Sequence, residues 1–127
     1  MIDEVSPAKV VRPSSIEELA GFLSTEKGSI VPFGAGTQTF FGNPLRRADC
    51  AVDLKSLSRI TEYVPADLTI HVEAGVTLDT LEHTLLENNQ FLPLDPWNGA
   101  AATVGGIAAA NTQGPFRAAG TIRDWII

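Results

Sequence analysis

The chain has 127 residues, nine of them Lys or Arg and fifteen Asp or Glu, for a net charge of −6. A nucleic-acid surface needs clustered cations, so that class is excluded; the longest basic run is Arg46-Arg47. The single Cys50 permits no internal disulfide, and with His71 and His83 distant from it the chain argues against a zinc or iron–sulfur centre.

A composition of 44% hydrophobic and 19% charged residues is that of a soluble globular domain, one or less, able to bury a core. No stretch reaches the length of a membrane span, and Asp3 and Glu4 precede no apolar run of the signal-peptide kind. Cys50 lies beside Ala51-Val52 and reads as a small buried hydrophobe. An unpaired thiol suits a reducing compartment, so the expected location is cytoplasmic.

In chain order, Lys9-Val10-Val11-Arg12 is expected as a short strand ended by Pro13. Ser14 or Ser15 caps a helix, with Glu17 and Glu18 as capping-box partners. Ile16, Leu19, Ala20 and Leu23 fall on one helical face, and Gly28 stops the helix. Ser29 to Phe33 is strand, so residues 9–33 read as a β-α-β unit.

That strand runs into Phe33-Gly34-Ala35-Gly36-Thr37-Gln38-Thr39. Glycines let backbone N–H groups approach a ligand, and successive inward N–H groups form an anion nest. A phosphate is the natural guest, although strand-Gly-x-Gly is also the composition of a plain turn. It is not a Rossmann fingerprint, because Thr39 stands where the third glycine belongs and Gly42 and Pro44 prevent a following helix. Nor is it a P-loop, since no Gly-Lys-Ser or Gly-Lys-Thr occurs.

Ala51-Val52-Asp53-Leu54 reads as a buried strand and Ile60 to Val64 as another. After the turn Pro65-Ala66-Asp67, Leu68, Ile70, Val72 and Ala74 alternate with Thr69, His71 and Glu73 as a half-buried strand with His71 solvated. Thr77 caps a helix from Leu78 to about Asn88, with Leu78, Leu81, Leu85 and Leu86 as its apolar face and His83 on its surface. Phe91 to Leu94 is extended.

Ala102-Thr103-Val104-Gly105-Gly106-Ile107-Ala108-Ala109-Ala110-Asn111 is a second glycine-bearing stretch. Its Ala-rich run forms a helix whose unpaired N-terminal N–H groups favour an anion. A tightly packed small-residue helix accounts for it equally well. Two uncharged glycine elements suit a pyrophosphate held from opposite sides. The chain stops at Trp125-Ile126-Ile127, which reads as a strand cut short, the front part of a longer protein.

Taken together, these segments resemble the FAD-binding domain of the vanillyl-alcohol oxidase and p-cresol methylhydroxylase (PCMH-type) superfamily, nearest to the FAD-binding subunit of bacterial glycolate oxidase and related D-lactate dehydrogenases. The carriers are Pro32-Phe33-Gly34-Ala35-Gly36-Thr37, Asp53-Leu54 with Leu57 and Ile60, Val72-Glu73-Ala74-Gly75-Val76-Thr77 with Leu81, Pro93-Leu94-Asp95-Pro96, and Ala102-Thr103-Val104-Gly105-Gly106. Asn111, Gly114, Gly120 and Arg123-Asp124 continue them. The resemblance implies an α+β fold of two subdomains, residues 1–65 and, incomplete, residues 66–127, with FAD between them.

It also implies the site residues. Gly34, Ala35, Gly36 and Thr37 hold the pyrophosphate through backbone groups, flanked by Phe33 and Gln38. Pro93, Thr103, Gly105 and Gly106 make further FAD contacts, and Asn111 and Gly114 lie near the isoalloxazine. The first loop has no His or Cys, so the implied FAD is non-covalent. Where relatives often have paired glycines after the Asn, this chain has Gln113-Gly114. Catalytic residues and any metal are not implied within this chain.

The expected function is the FAD-holding part of an oxidoreductase that oxidises a small 2-hydroxy acid such as glycolate or D-lactate, working with companion oxidase subunits. The alternative is a silent fragment that binds no FAD and forms a homo-dimer through its cut C-terminal edge. A non-flavin nucleotide module is a third reading; without a lysine at either loop, NTP hydrolysis is disfavoured.

Overall fold

The computed structural model describes residues 5–126. Asp3, Glu4 and Ile127, on which two of the readings above draw, lie outside the described residues.

Strands β1 (Lys9–Val11), β2 (Ile30–Phe33) and β3 (Cys50–Asp53) form a parallel sheet in the order β1-β3-β2. All four residues of β3 are buried. A parallel strand flanked on both sides needs no polar alternation, and Cys50-Ala51-Val52 has none. The β-α-β unit expected over residues 9–33 is present as a crossover, but its two strands do not pair. β3 lies between them, with Cys50 opposite both Lys9 and Ile30. This leaves β2 as an edge. The carbonyls of Ser29 and Phe33 accept from the Cys50 and Leu54 amides, so odd-numbered residues face β3. Pro32 faces outward, where its missing N–H breaks no ladder bond.

Helix α1 (Ile16–Thr25) makes the β1–β2 crossover. Ser15 caps it by accepting from the Glu18 amide at 3.1 Å. Glu18 reaches back one residue further than a capping box requires, to the amide and hydroxyl of Ser14. The helix ends at Thr25, before Gly28, because Glu26 turns to extended backbone and accepts from the Gly28 amide. Its apolar stripe stays largely open among the described residues: Leu19 is half-buried, while Ile16 and Leu23 are exposed. At the start of β3, Asp49 accepts from the amide and hydroxyl of Ser29, and these bonds, with Arg47, lower its pKa to about 2.

β4 (Ile60–Val64) and β5 (Thr69–Val72) form an antiparallel hairpin with an irregular register between Ile60 and Glu62. The hairpin reverses through a 3₁₀ turn at Pro65–Asp67. Leu68 is therefore a turn residue and not part of the inward face expected of it. It adopts φ 56° to close the turn, its amide bonds to the Pro65 carbonyl, and its side chain is 77% exposed. His71 is exposed, as its pattern predicts.

Helix α2 (Leu78–Leu86) buries Leu78, Leu81 and Leu85; Leu86, expected on the same face, is exposed. It stops before Asn88, and Asn89 takes a left-handed conformation that turns the Gln90 amide back to the Leu85 carbonyl. Residues 91–94 are irregular. Helix α3 spans Val104–Ala110 and α4 spans Ile122–Trp125. The C-terminal segment was expected as strand. It is a helix because Thr121 and Asp124 build a reciprocal cap and Ile122 enters the core. The strand edge on which self-pairing was to rest is absent from the described residues.

One core joins this second group: Val76, Leu78, Leu81, Leu85, Leu94, Ala102, Ile107 and Ile122, with Ile60, Tyr63, Ile70 and Val72 packed against it. β4 pairs with β5, and its Ile60 and Tyr63 pack against the core of the second group. A hairpin cannot be split without exposing its ladder.

Glu73 follows β5 and is buried. It accepts from the amide of Arg59 at 2.8 Å and from the guanidinium at 2.7 Å. Those bonds hold its pKa below the ordinary 4.5. A carboxylate with a depressed folded-state pKa contributes stability above its ordinary pKa and loses it as pH falls through the folded value. Glu73→Gln should thus be less stable than the parent at pH 7, with the gap closing below about pH 4. Urea unfolding at the two pH values checks this; an equal gap at both would remove the ion pair from the account.

Candidate functional site

The parallel sheet delivers its edge strand into residues 34–49, which cross back to β3 without a helix. Gly36 takes φ 74° there, a conformation that glycine adopts without steric cost. Among the described residues, the N–H groups of Gly34, Ala35, Gly36 and Thr37 donate to no other protein group. Four adjacent donors without acceptors at a strand end are the backbone of an anion nest.

The second group presents α3 to this loop. Thr77 and Thr103 form an isolated antiparallel bridge, and each caps the helix that follows it. The Leu78 amide bonds to the Ala102 carbonyl and the Val104 amide to the Val76 carbonyl, both at 2.8 Å. These bonds fix the start of α3 beside the start of α2. Thr103 is 2% exposed and packs directly on Gly34; a Cβ there would meet its Oγ1, its Cγ2 at 3.0 Å and its Cβ at 3.1 Å.

The unpaired N–H groups expected at the start of α3 are not there. Val104 donates to Val76, Gly105 to Ala74, and Ile107 to Thr103, while the Gly106 amide bonds to the Thr103 hydroxyl at 3.3 Å. Two of the donors are taken up by tertiary contacts with Val76 and Ala74, which helix periodicity does not reveal, and two by Thr103 within the helix's own first turn. Helix α3 meets the cleft with the small side chains of Thr103, Gly106, Ala109 and Ala110 instead.

Between loop and helix lies a cleft of about 460 Å³. Of the residues singled out from the sequence, Phe33, Gly34, Ala35, Gly36, Thr37, Gln38, Thr103 and Gly106 line it. Pro93, Gly105, Asn111 and Gly114 do not. A Cβ on Gly105 would lie 2.8 Å from that of Ala74, and one on Gly114 would strike the Asp95 backbone, so both are sites of close packing. Asn111 ends α3 at φ 48° with its Oδ1 buried and without a hydrogen-bond partner. The cleft also includes Phe41, Asn43 and Leu45, which sequence reasoning passed over. The exposed pair Phe40-Phe41, with ring centroids 4.4 Å apart, was the available signal.

Among the described residues that line the cleft none has an ionisable side chain. A second cavity, also about 460 Å³, uses Phe33, Gly34, Ala35, Gly36 and Thr39 as a shared wall and is closed by Val10, Ala51 and Lys55 among others. Asp53, at the end of β3 opposite Phe33, is buried and bonds to the Lys55 amide at 3.1 Å and to Arg12 Nε at 3.3 Å. It anchors the chain where β3 leaves the sheet. Among the described residues no three His, Cys, Asp or Glu side chains gather into a metal site, and no helix is long and apolar enough to cross a membrane.

The chain is 31% identical over 105 residues to glycolate oxidase subunit GlcE of Escherichia coli, covering 81% of this chain and 29% of that protein. It is 31% identical over 125 residues to the mitochondrial D-lactate dehydrogenase [cytochrome] of Arabidopsis thaliana, covering 95% and 22%. The chain thus spans less than a third of the length of these curated relatives. Among solved structures, alkyldihydroxyacetonephosphate synthase superposes with a TM-score of 0.72 at 24% identity over 91% of this chain and 24% of that one. This likeness bears on the fold, which is the α+β fold of PCMH-type FAD-binding proteins. The family model described as FAD binding domain matches residues 7–127, nearly the whole chain, and the chain therefore belongs to that family of FAD-binding domains.

Proposed function

We propose that this chain is the FAD-holding part of an oxidoreductase that oxidises a 2-hydroxy acid of the glycolate or D-lactate type. The observation that carries the FAD site is the row of amides from Gly34 to Thr37, unpaired among the described residues, on residues that line a cleft with no charged side chain among those described. A pyrophosphate there is held by N–H dipoles, since no charged side chain lines the cleft among the described residues. Two cavities that share this loop as a wall suit a ligand with a central pyrophosphate and two flat ends. The small residues on the cleft face of α3 leave room for one of those ends. When bound, the flavin supplies a ring that accepts the hydride. The substrate class rests on the relatives named a glycolate oxidase subunit and a D-lactate dehydrogenase. Companion subunits belong to the same proposal, through the relative named as a subunit.

In this reading Phe33, Gly34, Ala35, Gly36, Thr37, Gln38, Thr103 and Gly106 face the cofactor. Pro93, Gly105, Asn111 and Gly114 serve it from behind, by holding α3 and the segments around it. In this reading the cofactor is non-covalent: among the described residues no Cys, His or Tyr lines the cleft, Cys50 is buried in β3, and His71 and His83 are exposed on β5 and α2.

The test is flavin absorbance and FAD titration of the full-length protein and of Gly36→Val. A Cβ at Gly36 meets nothing within 4 Å, so the variant still folds, at a cost of about 1–2 kcal/mol for a branched residue at positive φ. Its added methyls enter the open space in front of the loop, and FAD affinity should fall at least tenfold. Equal affinity in the variant would move the pyrophosphate elsewhere. Absence of flavin from the parent would sink the reading.

A further inference from the structure

Gln38 follows the nest and does something its neighbours do not. Its Nε2 donates to the Trp97 carbonyl at 2.8 Å, across 59 residues of chain. Among the described residues this is the hydrogen bond by which residues 34–43 reach the second group. Its Oε1 is buried and has no partner. That asymmetry fixes the amide: a flipped Gln38 would set its oxygen against the Trp97 carbonyl, two acceptors face to face. Trp97 leads directly into the 3₁₀ turn Gly99–Ala101, whose end is tied to α2, and then to Thr103. The loop is therefore held to the second group at two points, Gly34 on Thr103 at its base and Gln38 on Trp97 at its far end. The unpaired amides lie between them.

We propose that Gln38 is a positioning residue and not itself a phosphate ligand. Its side chain latches the glycine loop to the Trp97 carbonyl and so presets the spacing of the ligand-facing N–H groups. A loop free at its far end would have to be ordered by the ligand, at a cost in affinity. This rests on the FAD reading for its binding assay but not for its second readout.

The experiment uses the full-length protein, with Gln38→Glu and Gln38→Ala. A carboxylate at residue 38 cannot donate to Trp97, whereas a protonated carboxyl can. Among the described residues no Asp, Glu, Lys, Arg, His, Cys or Tyr lines the cleft, and the nearby acid Asp95 is turned toward Gly114, so among them the new carboxyl is the group that titrates there. Gln38→Glu should bind FAD about tenfold more weakly than the parent at pH 7.5 and return to within threefold of it at pH 5. Gln38→Ala should be weak at both. Without FAD, backbone hydrogen exchange over residues 97–103 should quicken in Gln38→Ala. Parent-like binding by Gln38→Glu at pH 7.5, or equal recovery of both variants at pH 5, overturns the latch, as does unchanged exchange in Gln38→Ala. A parent that binds no FAD overturns the FAD reading alone, since exchange still reports on the latch.

Discussion

Gly75→Ala should destabilise this protein by about 3 kcal/mol or more, lowering its melting temperature by roughly 10 °C. Gly75 follows Glu73-Ala74 out of β5 and abuts the turn after β3. A Cβ on it would collide with the Leu54 carbonyl and lie 2.6 Å from that of Leu57 and 2.9 Å from that of Lys55. All three are backbone oxygens. They cannot rotate aside as a side chain would, because the Leu57 amide holds the turn to Leu54 and the Gly75 amide bonds to Leu57 at 2.7 Å. The clash sits where the parallel sheet meets the second group, so both must move. Gly21→Ala is the control: it lies within α1, nothing approaches a Cβ within 4 Å, and the change should stabilise by about 0.5–1 kcal/mol. Thermal or urea unfolding of the pair decides the matter. A Gly75→Ala protein within 1 kcal/mol of the parent would mean that the two groups do not pack this way.

Gly34→Ala should weaken FAD binding about a hundredfold, near 2.7 kcal/mol, while the protein still folds. The added methyl would overlap Thr103, which is buried and already committed to capping α3 and bridging Thr77. The loop must therefore lift off the helix, and the cleft between them changes shape. Thr103→Ala alone removes the cap at a cost of about 1 kcal/mol. In the double variant the hydroxyl that the new methyl strikes is gone, so affinity should recover in part. A negative coupling of about 1 kcal/mol or more in the four-member cycle is expected. Strictly additive losses would show that Gly34 and Thr103 act independently.

Much of the site was legible because glycine loops, helix caps and apolar stripes are local. Ser15 and Thr77 cap the helices expected of them because a cap is decided within four residues. Gly34 and Gly36 stood out by composition, and both line the cleft. Gly105 and Gly114 stood out equally, yet they face Ala74 and Asp95 instead of the cleft. A glycine announces that something comes close, not what it is. Phe41 and Asn43 went unread because a loop without periodicity gives no face to assign.

By itself the sequence determined the elements, the two glycine stretches and, through their order and spacing, the FAD-binding family to which the chain belongs. The elements and the glycine stretches are each encoded in residues a few positions apart, and the family in the order of such segments along the chain. Only the tertiary structure decided that β3 separates β1 from β2 and that β4 packs with the second group. It also decided which donors are left for a ligand. The amides of α3 found partners in Ala74, Val76 and Thr103, and those of Gly34 to Thr37 found none. A backbone donor is free or spent according to what the chain places beside it: Thr103 is local to α3, Ala74 and Val76 come from far along the chain, and among the described residues no acceptor comes to Gly34 to Thr37.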